Sequence, residues 1–391
     1  MSWTIGIDLA QLRWARMRIS GVDYLIVFVV TASITLGLTP IALRYAVRRE
    51  IFDRPGIIKS QESPVPYLGG LAIVVSFAAV ILVAATIRRP DGGYLDLVTL
   101  LGLAVLLAFV GLVDDLRGLS PFLRLAVEVA AGVLVWQSQG AAFLGNDVLD
   151  LLVTVLWVVG VTNAMNLLDN MDGLSAGVAA IASFWFFVIA AANGQFLVAT
   201  LAIALCGCSI GFLRSNFHPA RIYMGDAGAL FIGFLLAAIG LRLRFEGPTE
   251  VTFFVPILVL GVPLFDTTLV TVNRLLHRRS PLSGGRDHSS HRIVFVGVPV
   301  RAAVGLIYAG AVSLGWLGVV MANVDRDTGF LLMAWVLAAA AFVGTMLSVI
   351  PVYETSRRRH LMLQEVRRHE QPIGPDRADP AGEPPESAQS A

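Results

Sequence analysis

The segment Leu97-Val-Thr-Leu-Leu-Gly-Leu-Ala-Val-Leu-Leu-Ala-Phe-Val-Gly-Leu-Val113-Asp114-Asp115-Leu-Arg117-Gly118-Leu-Ser-Pro121 runs uncharged to Val113 and then closes on two adjacent carboxylates. Its apolar part is near the minimum for a helix that crosses about 30 Å of hydrocarbon. The whole 391-residue chain follows this grammar, being 56% hydrophobic and only 15% charged, with mean hydropathy +0.74. Soluble domains carry about 25% charged residues. This one must place part of its apolar surface in lipid. Such a composition excludes a disordered chain, and a net charge of +1 excludes the basic field of a nucleic-acid binder. The two cysteines, Cys206 and Cys208, lie inside an apolar run and read as helix packing rather than a disulfide framework or zinc site.

Eleven apolar runs qualify as spans: 24–47, 68–87, 97–113, 122–136, 148–166, 174–192, 197–213, 227–243, 252–275, 302–321 and 330–350. The reading is an all-α polytopic membrane protein of about 11 transmembrane helices. It divides into an N-terminal stub (1–22), a transmembrane domain (23–353) and a disordered tail (354–391). Residues 1–20 lack the continuous apolar core of a signal peptide. Most of the 29 Lys and Arg residues fall in the loops after odd-numbered spans and in the tail, so these are expected to be cytoplasmic. Arg13, Arg16 and Arg18 conflict with this orientation. They imply either an interfacial stub or a start nearer Met17.

Ionisable and amide residues near a bilayer mark function, and here they share one side. The third span ends in Asp114-Asp115, and the fifth in Asn163-Ala-Met-Asn166-Leu-Leu-Asp169-Asn170-Met-Asp172-Gly173. The seventh leads into Asn216-Phe-His218-Pro219-Ala-Arg221-Ile-Tyr223-Met-Gly225-Asp226. The ninth holds Asp266 and Arg274 and is followed by Arg278-Arg279 and by Arg286-Asp287-His288-Ser-Ser290-His291-Arg292. Carboxylates and amides without a Cys or His quartet favour a hard cation such as Mg2+. At helical spacing Asn163, Asn166 and Asn170 share a face with Asp169 beside it, which suits either one cavity or polar glue between helices. His288 and His291 could ligate a metal, but the surrounding Arg278, Arg279, Arg286 and Arg292 favour a phosphate. Glu128, inside the fourth span, reads either as a partner of this cluster or as a neutral packing carboxyl. Acidic groups for Mg2+ and a basic loop for phosphates suggest phosphoryl transfer.

These segments resemble the polyprenyl-phosphate N-acetylhexosamine-1-phosphate transferases, of the undecaprenyl-phosphate GlcNAc-1-phosphate transferase type in glycosyltransferase family 4. The match lies in Asp114-Asp115 with Leu119-Ser120-Pro121 and Arg124-Leu125, in Asn163-x-x-Asn166 with Asp172-Gly173, and in Asn216-x-x-Pro219-Ala220 with Met224-Gly225-Asp226. The segment Pro64-Val-Pro66-Tyr-Leu-Gly69-Gly70 adds to it. The resemblance implies transfer of sugar-1-phosphate from a UDP-N-acetylhexosamine to polyprenyl phosphate, with release of UMP. It implies Mg2+, with Mn2+ as a substitute, held by Asn166 and Asp226. Asp114 and Asp115 would sit near the acceptor phosphate or metal, and His288 with Arg286 and His291 over the phosphates and sugar. Asp169, Asp172, Asn216 and Tyr223 would lie near the nucleotide. The implied setting is the plasma or inner membrane, with site and C-terminus facing the cytoplasm and a homodimer left open. Ser290 stands where the family often has a histidine, and Gly118-Leu119 where the phospho-N-acetylmuramoyl-pentapeptide transferases carry a lysine-bearing segment. Both departures favour the N-acetylhexosamine branch over that alternative. A secondary transporter, the competing class, needs polar groups open to both faces and some internal repeat. The sequence has neither.

Overall fold

The computed structural model describes residues 21–53, 64–90, 93–139, 145–245, 249–281 and 284–352. The stub up to residue 20, the loop residues Arg54 and Lys59, and the tail from 353 lie outside the described residues. In chain order, α1 (Gly21–Arg48) leads through β1 (Phe52–Asp53) and β2 (Val65–Pro66) to α2 (Gly69–Ile87), α3 (Gly93–Arg117), α4 (Pro121–Gln139) and α5 (Asp147–Leu168). Next come α6 (Leu174–Ala192), α7 (Phe196–Asn216), α8 (Gly225–Arg242), α9 (Thr249–Thr252), α10 (Phe254–Val259) and α11 (Gly261–Leu276). The last elements are α12 (Ser289–Phe295), α13 (Val300–Met321) and α14 (Arg326–Ser348). The two short strands pair antiparallel, Phe52 opposite Pro66.

Among the described residues nine helices are long and apolar enough to cross a membrane: α1, α2, α3, α5, α6, α7, α8, α13 and α14. The chain is an all-α, multi-pass membrane protein. Helix α4 stands at the expected fourth span, but Arg124 and Glu128 interrupt its apolar character. The ninth expected span, 252–275, is not one helix. It is broken into α9, α10 and α11 at Phe253 and Leu260. The cause is local: Pro256 and Pro263 each lack an N–H and crowd the carbonyl four residues back, at Thr252 and Val259, where the pieces end.

Helix α8 is the axis of the fold. Every residue from Ala227 to Arg242 is buried, with α3 and α5 packed closely along it and α2 alongside. Its sequence explains this: Gly225, Ala227, Gly228, Ala229, Gly233, Ala237, Ala238 and Gly240 present small side chains that let neighbouring backbones approach. Helix α7 uses the same device, and its buried Cys206 and Cys208 pack as the sequence suggested. Opposite α7, α1 buries Thr31, Thr35 and Thr39, whose hydroxyls donate to carbonyls one turn earlier in their own helix. Helix α14 is nearly bare, with Leu331, Trp335, Leu337 and Phe342 exposed as befits contact with lipid.

At the crossing of α2 and α8, a Cβ on Gly70 would stand 2.3 Å from the backbone nitrogen of Gly228. Gly70→Val must separate the helices, and we expect a loss of about 1–3 kcal/mol, read as a lower thermal midpoint in detergent. Gly102→Val, whose Cβ meets nothing within 4 Å, is the matched control and should leave the midpoint nearly unchanged.

Candidate active site at one end of the bundle

The chain enters α8 through Gly225, held at φ 74°, a backbone angle favourable to glycine. The N-terminus of α8 then points at the end of α3. There Asp115 accepts from the Asp226 N–H through Oδ1 at 3.0 Å and from the Ala227 N–H through Oδ2 at 3.2 Å. This carboxylate is a helix cap supplied by another helix, at the end where the macrodipole favours negative charge. From the other side, the Tyr67 hydroxyl donates to the Asp115 carbonyl at 2.8 Å. Residues 66–70 run beside 223–224, with the Tyr223 N–H on the Pro66 carbonyl and the Gly70 N–H on that of Met224. Tyr67 is thus a positioning residue that the sequence reading missed. Its only signal was its place in the Pro64–Gly70 motif.

Asp226 is gripped from two sides. The Asn166 amide donates to Oδ1 at 2.8 Å, and Arg124 Nη1 to Oδ2 at 3.1 Å. The same Nη1 reaches Asp114 Oδ2 at 3.0 Å. Asp114 also takes the Leu119 N–H at 2.6 Å, which closes the turn between α3 and α4. The four residues Asp114, Asp226, Asn166 and Arg124 therefore converge as a unit. Asn163 and Asn170 do not join Asn166 in one row. Asn163 turns to Glu128, to which its amide donates. Helix α5 ends at Leu168, so Asn170 lies beyond it and accepts from the Ser290 hydroxyl at 2.6 Å.

A cavity of about 490 Å³ opens beside this unit, walled by Asp53, Tyr67, Asp115, Asp169, Asp172, Tyr223, Asp226 and His291, among others. Burial pushes the Asp169 carboxyl up to about 7, and the charges of Asp226, Asp115 and Asp172 push the same way. Burial also raises the Tyr223 hydroxyl, with Asp172 and Asp169 adding to it. Asp172 Oδ2 lies 2.8 Å from His218 Nδ1 and accepts from the Ala220 N–H at 3.0 Å. Asn216, also on the wall, is fully engaged: Oδ1 takes the Gly173 N–H at 3.1 Å and Nδ2 donates to the Ile222 carbonyl at 3.0 Å. It ties the 169–173 turn to the loop before α8. The Tyr308 hydroxyl holds that turn from α13, donating to the Gly173 carbonyl at 2.5 Å.

The histidine loop is built differently from the expectation. His288 is buried, with Nδ1 2.7 Å from Asp266 Oδ2, while the Ser289 N–H donates to Asp266 Oδ1 at 2.7 Å. His291 is the imidazole on the cavity wall, beside Gly285. Burial, then the neighbouring His288 and Arg286, lower its pKa to about 4. Arg286 is half-buried on the same loop. Arg292, counted from the sequence among the arginines that favour a phosphate, is buried and donates to the carbonyls of Asp287 and Leu347 at 2.8 and 2.9 Å. Arg274 forms a two-pronged pair with Asp287 at 2.8 and 2.7 Å. These two arginines stiffen the loop, whereas Arg278 and Arg279 are exposed.

The model of glycosyl transferase family 4 matches residues 97–244, the stretch from α3 through α8. The probable undecaprenyl-phosphate N-acetylglucosaminyl 1-phosphate transferase of Bacillus subtilis is 30% identical over 72% of this chain and 80% of its own length. The decaprenyl-phosphate N-acetylglucosaminephosphotransferase of Mycolicibacterium smegmatis is 31% identical over 74% of this chain and 79% of its own. A phospho-N-acetylmuramoyl-pentapeptide-transferase of Streptococcus mutans is 30% identical over a shorter stretch, 46% of this chain and 60% of its own. With the motif residues gathered at one end of the bundle, and with relatives aligned over most of both chains, this protein belongs to glycosyl transferase family 4.

Proposed function

We propose that this protein transfers an N-acetylhexosamine-1-phosphate, GlcNAc-1-phosphate foremost, from its UDP-sugar to polyprenyl phosphate at the cytoplasmic face of the cell membrane, releasing UMP. The observation that carries this is the convergence of Asp114, Asp226, Asn166 and Arg124 beside a carboxylate-walled cavity at a helix end. Relatives named for transfer of N-acetylglucosamine phosphate to polyprenyl phosphates agree with it.

The donor set fits a divalent cation. Its oxygens are hard, and burial, with the charges of Asp226, Asp115 and Asp172 adding to it, lifts Asp169 to about 7. Among the described residues no three His, Cys, Asp or Glu side chains form a cage, and Mg2+ commonly takes only one or two protein oxygens and completes its shell with water and phosphate. Asp226 and Asn166 would hold it. When bound, Mg2+ neutralises the pyrophosphate and the charge that develops on the departing nucleotide phosphate.

The chain's own residues do the rest. A phosphate monoester has its second pKa near 6, so the acceptor arrives mostly dianionic and needs no strong base. Asp114 orients it together with Arg124, whose guanidinium offsets the repulsion between acceptor and donor phosphates. The acceptor oxygen forms the new P–O bond in line with the bond to UMP that breaks. The turn carrying Asp169 and Asp172, with Tyr223, holds the nucleotide, and His291 faces the phosphates as a neutral imidazole.

Purified protein given UDP-GlcNAc, polyprenyl phosphate and Mg2+ should release UMP, and chelation should stop it. Silence with every UDP-N-acetylhexosamine would remove the enzyme reading. Asp226→Asn should lower turnover about 100-fold or more with the thermal midpoint retained, and near-normal turnover would show that the cation sits elsewhere. With its pKa near 4, His291 stays neutral through the range in which free histidines titrate. His291→Gln should therefore reduce the rate without moving the acidic limb of the pH profile. A displaced limb would mean that His291 carries that titration.

A further inference from the structure

Glu128 sits on α4 one helical turn after Arg124 and is wholly buried. Its Oε2 accepts from the Asn163 amide. Its Oε1 is shut off from solvent and makes no hydrogen bond among the described residues. A buried carboxylate oxygen left in that state is costly and asks for a partner. The guanidinium of Arg124 stands just short of it, with Nε 3.8 Å from Oε1. Arg124 has five N–H donors, yet its side-chain hydrogen bonds here run through Nη1, to Asp114 and Asp226.

That arrangement conflicts with the role assigned to Asp226, because a guanidinium on Oδ2 competes with a divalent cation for the same carboxylate. We propose that Glu128 is a second seat for Arg124. When Asp226 passes to the cation, Arg124 leaves Oδ2 and closes on Glu128 Oε1, a shift of about 1 Å to hydrogen-bond distance. Arg124 keeps its contact with Asp114 and stays beside the phosphates. The i, i+4 spacing on one helix makes the exchange local, and the Asn163 amide fixes the receiving carboxylate from α5. Glu128 is thus a positioning residue that acts through Arg124, and this rests on the reading of Asp226 as a cation ligand.

Mn2+ is the probe, titrated into the full-length protein without substrates and followed by the electron paramagnetic resonance signal of the free ion. Glu128→Gln keeps the shape and an acceptor for Asn163 but removes the charge that draws Arg124 away. It should weaken Mn2+ binding about tenfold, and once Arg124→Gln is also present the same change should have almost no effect. Equal Mn2+ affinity in wild type and Glu128→Gln would overturn the exchange alone, and so would an equal loss with and without Arg124. Absence of Mn2+ binding by the wild type would overturn the cation reading and the exchange together, while UMP release tests the enzyme reading separately. A crystal structure of the wild type with Mn2+ gives a check independent of variant folding. Arg124 should be found on Glu128 Oε1, and Arg124 still on Asp226 would refute the proposal.

Discussion

Everything at the site hangs on the start of α8. A helix has no internal acceptors for its first N–H groups, which need partners from outside the helix. Asp115 does this from α3 with both carboxylate oxygens. One interaction thereby joins the end of one span to the start of another and sets Asp226 at a fixed depth. Tyr67 secures the capping residue from behind, and the small residues of α8 let the surrounding helices close on the axis that carries it. Asp115 therefore contributes geometry through its oxygens and negative charge to the cavity wall at the same time.

Around that anchor the charges divide into two groups with different degrees of satisfaction. The loop bearing His291 is held by protein partners: Asp266 holds His288, Arg274 holds Asp287, and Arg292 donates to backbone carbonyls. These contacts set His291 on the cavity wall. The cavity group gathers carboxylates instead. Asp115, Asp169, Asp172 and Asp226 face one space, and Arg124 reaches only Asp226 among them while also holding Asp114. Such a gathering of carboxylates suits the divalent cation proposed for the site.

The sequence made the spans and the sidedness of the polar residues legible, because an apolar run has few reasons to end in Asp114-Asp115 or Asn166-x-x-Asp169. It also made the break in 252–275 readable in principle, since Pro256 and Pro263 each mark the carbonyl four residues earlier. The pairings were hidden. Helical spacing put Asn163, Asn166 and Asn170 on one face. That face meets α4 at Asn163 and α8 at Asn166, while the helix is over before Asn170. Composition also misleads at Arg292. Four arginines near two histidines suggest a phosphate, but burial against carbonyl oxygens of α14 and its C-terminal end serves the same guanidinium.

Depth is the last constraint. An acceptor whose chain stays in lipid brings its phosphate only to the interface, so the groups that meet it must sit where helices end. The described structure obeys this at six helices: the C-terminal ends of α3, α5 and α7, and the N-terminal ends of α2, α4 and α8. Alternating helices thus deliver opposite termini to one plane. The N-terminal ends carry partial positive charge there, and α4 adds Arg124 in its first turn, close to the carboxylates of α3 and α8. Glu128, one turn further along α4, is wholly buried, where a carboxylate persists only if a cation or an amide answers it.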